Sequence, residues 1–162
     1  MSRTFLLAGA ALTVAGSVAL AAGRAQAPVP YPEGYRSWKH VKSMVILEGH
    51  ALADPFAGIH HVYANGKALR GLETGKYADG SVLVFDLLEA VPEENAYVEG
   101  PRKLLGVMHK NARRYAATGG WGFEGFAGDS KTGRLPTNNG RDCHLCHTDA
   151  AETELVFSAL RR

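Results

Sequence analysis

Near the C-terminal end of the chain, Cys143, His144, Leu145, Cys146 and His147 spell the pattern C-x-x-C-H. Two thiols at this spacing can each close a thioether onto a vinyl group of the same porphyrin edge. An imidazole directly after the second thiol can then turn under the ring and reach its iron. The pattern therefore points to a covalently held haem c, one per chain, with Cys143 and Cys146 as its anchors and His147 as the axial ligand. The chain has 2 cysteines in all, and they have three rival uses. Half of a zinc site would need a second Cys pair or histidines close by, and the histidines outside the motif lie far upstream. A thioredoxin-like redox pair would need a βαβ frame, which the surrounding residues do not suggest. A plain disulfide is the third.

The N-terminal segment bears on the choice. Arg3 supplies a positive start, and Phe5 to Ala22 runs without a charge through apolar and small residues. Residues 1–25 read as a signal peptide, with small-residue cleavage sites between positions 21 and 27 and Pro28 disfavouring a cut after Ala27. An uncleaved anchor is the competing reading, because the stretch is nearly long enough to span a bilayer. Its richness in Gly, Ala, Ser and Thr favours the signal peptide. Export fits the motif, since bacterial c-type haem is attached on the periplasmic side, and a periplasmic location is expected. The remaining residues, 26–162, are of a size for one domain with its own core. A net charge of +2 with scattered Lys and Arg gives no signal for a nucleic-acid partner.

Several strands must carry this motif. Val41–Leu47, Phe56–Ala64, Ser81–Leu88 and Trp121–Ala127 are rich in β-branched and aromatic residues. Ser81–Leu88 is apolar on both faces and should be central. Asn65 should cap a helix over Lys67–Thr74, with Gly75 as its stop. Glu33–His40 reads as a short helix and 91–101 as an acidic, Pro-bounded loop. Leu104–Ala117 fits either a helix or a strand ending near His109. Residues 129–140 read as a flexible crossing. Asp149 to Glu152 resembles a capping box opening a last helix that runs to Leu160. These elements read as a β-rich scaffold with the c-type haem motif at its C-terminal edge.

Taken in order, Tyr35-Arg-Ser-Trp38, Val62-Tyr-Ala-Asn65, Asp79-Gly80, Gly119-Gly-Trp121-Gly122 and the late C-x-x-C-H resemble the cytochrome P460 and cytochrome c′-β family. The resemblance covers essentially the whole chain after the leader. It implies an α+β fold, mainly an antiparallel β-sheet with flanking helices and a C-terminal c-type haem motif, as well as a homodimer and a haem with one protein ligand. It also implies a division between two chemistries. True cytochromes P460 carry a haem-crosslinking lysine in the strand after the Asp-Gly turn, and this goes with hydroxylamine oxidation. Phe85 stands at the matching position here, and phenylalanine has no nucleophilic nitrogen. In the c′-β type two phenylalanines cap the distal face of the haem, and their matches are Phe85 and Phe56. Without the resemblance, both are ordinary core residues. His60 matches a distal arginine of cytochrome P460. An imidazole there could donate a hydrogen bond, act as an acid or base, or ligate iron, although the strand pattern leaves open which of His60 and His61 faces inward. Met44, Met108, His50 and His109 are further candidates for a sixth ligand, and Arg114, Glu124 and Arg134 for charges beside the haem propionates.

The leading expectation is an exported mono-haem cytochrome whose apolar distal side, crowded by Phe56 and Phe85, binds a small gas such as nitric oxide or carbon monoxide, as scavenger, carrier or sensor. Oxidation of hydroxylamine or nitric oxide is the enzymatic alternative. Electron transfer with a periplasmic redox partner is another, and a peroxidase using His60 as its acid–base group is a weaker one.

Overall fold

The computed structural model of the protein describes residues 27–161. The expected signal peptide lies outside them, apart from the last of its candidate cleavage positions. Five strands form one antiparallel sheet in the order β1 (Lys39–Ile46), β2 (Gly58–Ala64), β3 (Val82–Glu93), β4 (Ala96–Lys110) and β5 (Trp121–Ala127). Among the described residues there are three α-helices: α1 (Ala53–Phe56) between β1 and β2, α2 (Gly66–Thr74) between β2 and β3, and α3 (Arg141–His147) after β5. Among the described residues, no helix is long and apolar enough to cross a membrane.

The α+β class is as the sequence implies, and β3 is the central strand. Its residues alternate between two cores. Leu83 points into one core with Trp121, Phe123 and Leu155. Val84 points into the other with Leu105, Val107 and Phe126. We call these face A and face B. Face B is closed by the lead-in, whose Val29 is fully buried and whose Tyr31 stacks edge-on against Phe126.

Asn65 caps α2 as expected. Its side chain accepts from the Ala68 amide at 2.9 Å, and Gly75 ends the helix in the left-handed region at φ 76°. The same Asn65 oxygen accepts from the Val82 amide, and its Nδ2 donates to the Gly80 carbonyl, so one side chain ties the cap to the start of β3.

Four expectations are corrected, and one choice the sequence leaves open is settled. Glu33–His40 forms only a 3₁₀ turn over Tyr35–Ser37, because Trp38 is already extended and leads into β1. Residues 91–101 are not a loop. β3 and β4 continue as a paired ribbon around Glu94 and Asn95, both at positive φ as a tight hairpin requires. Leu104 to Lys110 is strand, so the helical alternative fails. Phe56 does not open β2. It closes the one-turn α1, and β2 starts at Gly58. The last helix stops early: 3₁₀ turns over Thr148–Thr153 end where Glu154 and Leu155 adopt positive φ, with no side-chain cap bond from the expected capping box.

Candidate haem site

The C-x-x-C-H motif lies on α3, a helix the sequence reading did not anticipate. Positions 143, 146 and 147 are three and four apart, so the helix brings Cys143, Cys146 and His147 to one side. Both thiols are free, Cys143 half-buried and Cys146 exposed. The His147 ring packs against Phe123 of β5 at 5.1 Å and against the exposed Phe157 at 5.0 Å, centroid to centroid. Its Nδ1 lies 2.7 Å from the Leu155 carbonyl. A carbonyl only accepts, so Nδ1 carries the proton and Nε2 keeps its lone pair. Burial lowers the His147 pKa, although the carbonyl contact opposes it, and the ring is neutral at pH 7. This is the condition a histidine needs to ligate a metal, with the second nitrogen held by a backbone oxygen. The left-handed backbone at Glu154 and Leu155 therefore serves the site, since it turns the chain back so that the Leu155 carbonyl meets His147.

Phe123 belongs to face A, and strand register shows what else shares that face. One row across the sheet is Ala64, Leu83, Met108, Phe123; the next is Val62, Phe85, Gly106, Gly125; the third is His60, Leu87, Leu104, Ala127. Phe85 is thus on the face that carries His147. The Phe56 ring meets Phe85 edge-on at 5.9 Å, reaching it from α1. Beside Phe85 the sheet has no side chain at Gly106. A Cβ there would meet nothing nearer than Phe85 itself, at 3.5 Å.

The same register separates the two adjacent histidines. His60 is on face A, 4 % exposed, with its ring 4.6 Å from Phe85. Its Nε2 is buried with no hydrogen-bond partner among the described residues. Burial, with lesser contributions from Lys42 and His61, pushes its pKa down to about 4. His61 is on face B in an exposed chain of contacts to Ser43 at 2.6 Å and Glu99 at 2.7 Å.

The other candidates are dispersed. Met108 is on face A in the Phe123 row. Met44 is exposed on the edge strand, His50 accepts from the Leu52 amide in an exposed turn, and His109 faces Tyr115 on face B. Arg134 pairs with Glu124 and donates to the Val29 carbonyl, and Arg114 donates to the Pro28 carbonyl, so these charges serve face B instead of the motif face. Two surface clefts, of about 530 and 400 Å³, are lined by neither phenylalanine of the pair nor any motif residue. Among the described residues, no group of three or more His, Cys, Asp or Glu is placed to hold a metal ion.

Sequence reasoning missed a node at the centre of face B. The fully buried Asp86 accepts from the Tyr35 hydroxyl at 2.6 Å and from Arg102 Nε at 2.6 Å. Arg102 also donates to the Tyr35 oxygen at 2.8 Å. An acidic residue in an apolar central strand was the available signal, since a buried carboxylate must be paired.

Free thiols and a neutral, carbonyl-held histidine on one side of a helix are a donor set that fits a haem, carried on an antiparallel sheet. The sequence profile of the cytochrome P460 family matches residues 32–158, and the chain belongs to that family of haem cytochromes. No curated protein sequence matches it.

Proposed function

We propose that the protein is an exported c-type cytochrome of the c′-β kind that binds small neutral gases, nitric oxide or carbon monoxide. Cys143 and Cys146 would hold one haem by thioethers, and His147 Nε2 would be its protein ligand. When bound, the haem supplies an iron with one coordination position open to a gas. The residues of the chain decide what reaches that position. Phe56 and Phe85 would crowd it and exclude water, with no side chain at Gly106 beside them. The observation that carries the reading is the edge-on pair of Phe56 and Phe85, at 5.9 Å, on the sheet face to which His147 is packed.

The crosslinked, hydroxylamine-oxidising alternative lacks its nucleophile at position 85. Lys67 and Lys76 do not supply one. The Lys67 ammonium donates to the Asp79 carbonyl at 2.8 Å, and Lys76 pairs with Glu154 at 3.5 Å. A homodimer is proposed on the family resemblance and on the exposed Met44 and Val45 of the edge strand β1. The test is a pair of assays on the haem-loaded protein. Titration with nitric oxide and carbon monoxide should give saturable spectral changes, and hydroxylamine with an electron acceptor should give no turnover. Steady hydroxylamine oxidation would overturn the reading.

A further inference from the structure

We propose that His60 is the specificity-determining residue of this pocket, its Nε2 making the one polar contact to a gas seated beside Phe85. The inference rests on the gas-binding reading above and deepens it.

His60 is anchored as a pocket residue should be. It is placed by unbroken register between Met44 of β1 and Leu87 of β3, and its ring lies 4.6 Å from Phe85. Phe85 in turn touches Phe56, so the imidazole is the polar member of an otherwise apolar group. Leaving a buried ring nitrogen without a partner is costly, and such atoms in folded proteins are usually satisfied by something. Here no protein group does so for Nε2 among the described residues. On this proposal the bound gas is that partner. The ring is neutral at physiological pH, so it brings a hydrogen-bonding nitrogen to the pocket without a buried charge.

A single donor in an apolar site discriminates by charge. It stabilises a ligand in proportion to the negative charge the outer atom gains on binding. Carbon monoxide gains little and nitric oxide gains more. His60 would therefore bias the site towards nitric oxide over carbon monoxide. With the proton on Nε2, the pocket has a donor that the residue types of the capping phenylalanines alone would not supply.

The test compares haem-loaded wild type with His60→Leu and His60→Gln. Leu removes the donor and keeps an apolar side chain; Gln restores an N–H. The readouts are the infrared stretching frequency of bound carbon monoxide and the dissociation rates of the two gases. Far-UV circular dichroism and haem content verify that each variant is folded. His60→Leu should raise the stretching frequency and speed nitric oxide release about fivefold, the size of one ordinary net hydrogen bond. Carbon monoxide release should change much less, and His60→Gln should return both readouts towards wild type. An unchanged frequency and nitric oxide rate in His60→Leu would overturn the inference while leaving the gas-binding reading intact. It would also be overturned by a six-coordinate reduced wild type that becomes five-coordinate in His60→Leu, since His60 would then be an iron ligand. If none of the three proteins takes up either gas, the underlying reading falls and the inference falls with it.

Discussion

Replacing Asp86 by Asn keeps the shape of the face B node and removes its charge, and the structure sets the size of the effect. Asp86 accepts three bonds, from Tyr35 at 2.6 Å, Arg102 Nε at 2.6 Å and Arg36 at 3.1 Å. The Arg36 side chain is 54 % exposed, so its contact is screened and adds little. The Arg102 side chain is 10 % exposed, and its remaining carboxylate, Asp129, is largely in solvent. Asp86→Asn therefore leaves a buried guanidinium with only a solvent-screened partner and turns an amide N–H towards a donor. The loss should be about 3–5 kcal/mol, a large share of the roughly 5–15 kcal/mol that holds a domain of this size. The midpoint of thermal unfolding should fall by about 10–20 °C. The effect also has a sign in pH. Burial alone would raise the Asp86 pKa, but the bonds from Arg102 and Tyr35 and the charges of Arg102 and Arg36 outweigh it and hold the group below the usual carboxylate range. A pKa depressed by folding contributes stability in full above the unfolded value of about 4, and loses it as pH falls through the folded value. The gap between wild type and variant should be widest near pH 7 and close in acid. Urea unfolding of both proteins across that range is the assay. A difference under about 1 kcal/mol at pH 7, or one that grows on acidification, would refute the account of this node.

Two other substitutions probe the frame of the site. Asn65→Ala removes the α2 cap together with the bonds to Val82 and Gly80, and should cost about 2–3 kcal/mol, more than a cap alone, as read from urea unfolding. Gly58 has φ 142°, and a Cβ on it would lie 2.1 Å from the Leu88 carbonyl oxygen. Gly58→Ala should therefore cost about 3 kcal/mol or more. It should also disturb Phe56, two residues away, which a carbon monoxide binding assay would register.

The elements with self-contained signals were readable from the sequence. Trp121–Ala127 has the bounds expected of it, because Gly119 and Gly120 turn the chain before it and its aromatics alternate with small residues. The Asn65 and Gly75 boundaries of α2 stand for the same reason. The ribbon at 91–101 was hidden by its acidic residues and two prolines. These read as loop, yet Val91, Tyr97 and Val98 pair across a hairpin outside the main core. The final helix was over-read because a capping pattern says nothing of the left-handed residues that stop the turn at Glu154 and Leu155. In the site, the motif residues were plain from type and spacing. The inward direction of His60 was not, since adjacent histidines on a strand differ only by register, and register is set by pairing with Met44 and Leu87.

The central claim is a haem held by α3 with His147 as its sole protein ligand and a gas-accessible opposite side. The absorption spectrum of the reduced protein, before and after carbon monoxide, tests it most directly. The account predicts a five-coordinate, high-spin spectrum that shifts to a sharp six-coordinate one on addition of the gas. A six-coordinate, low-spin spectrum before addition, with methionine or second-histidine character and no response to carbon monoxide, would contradict it.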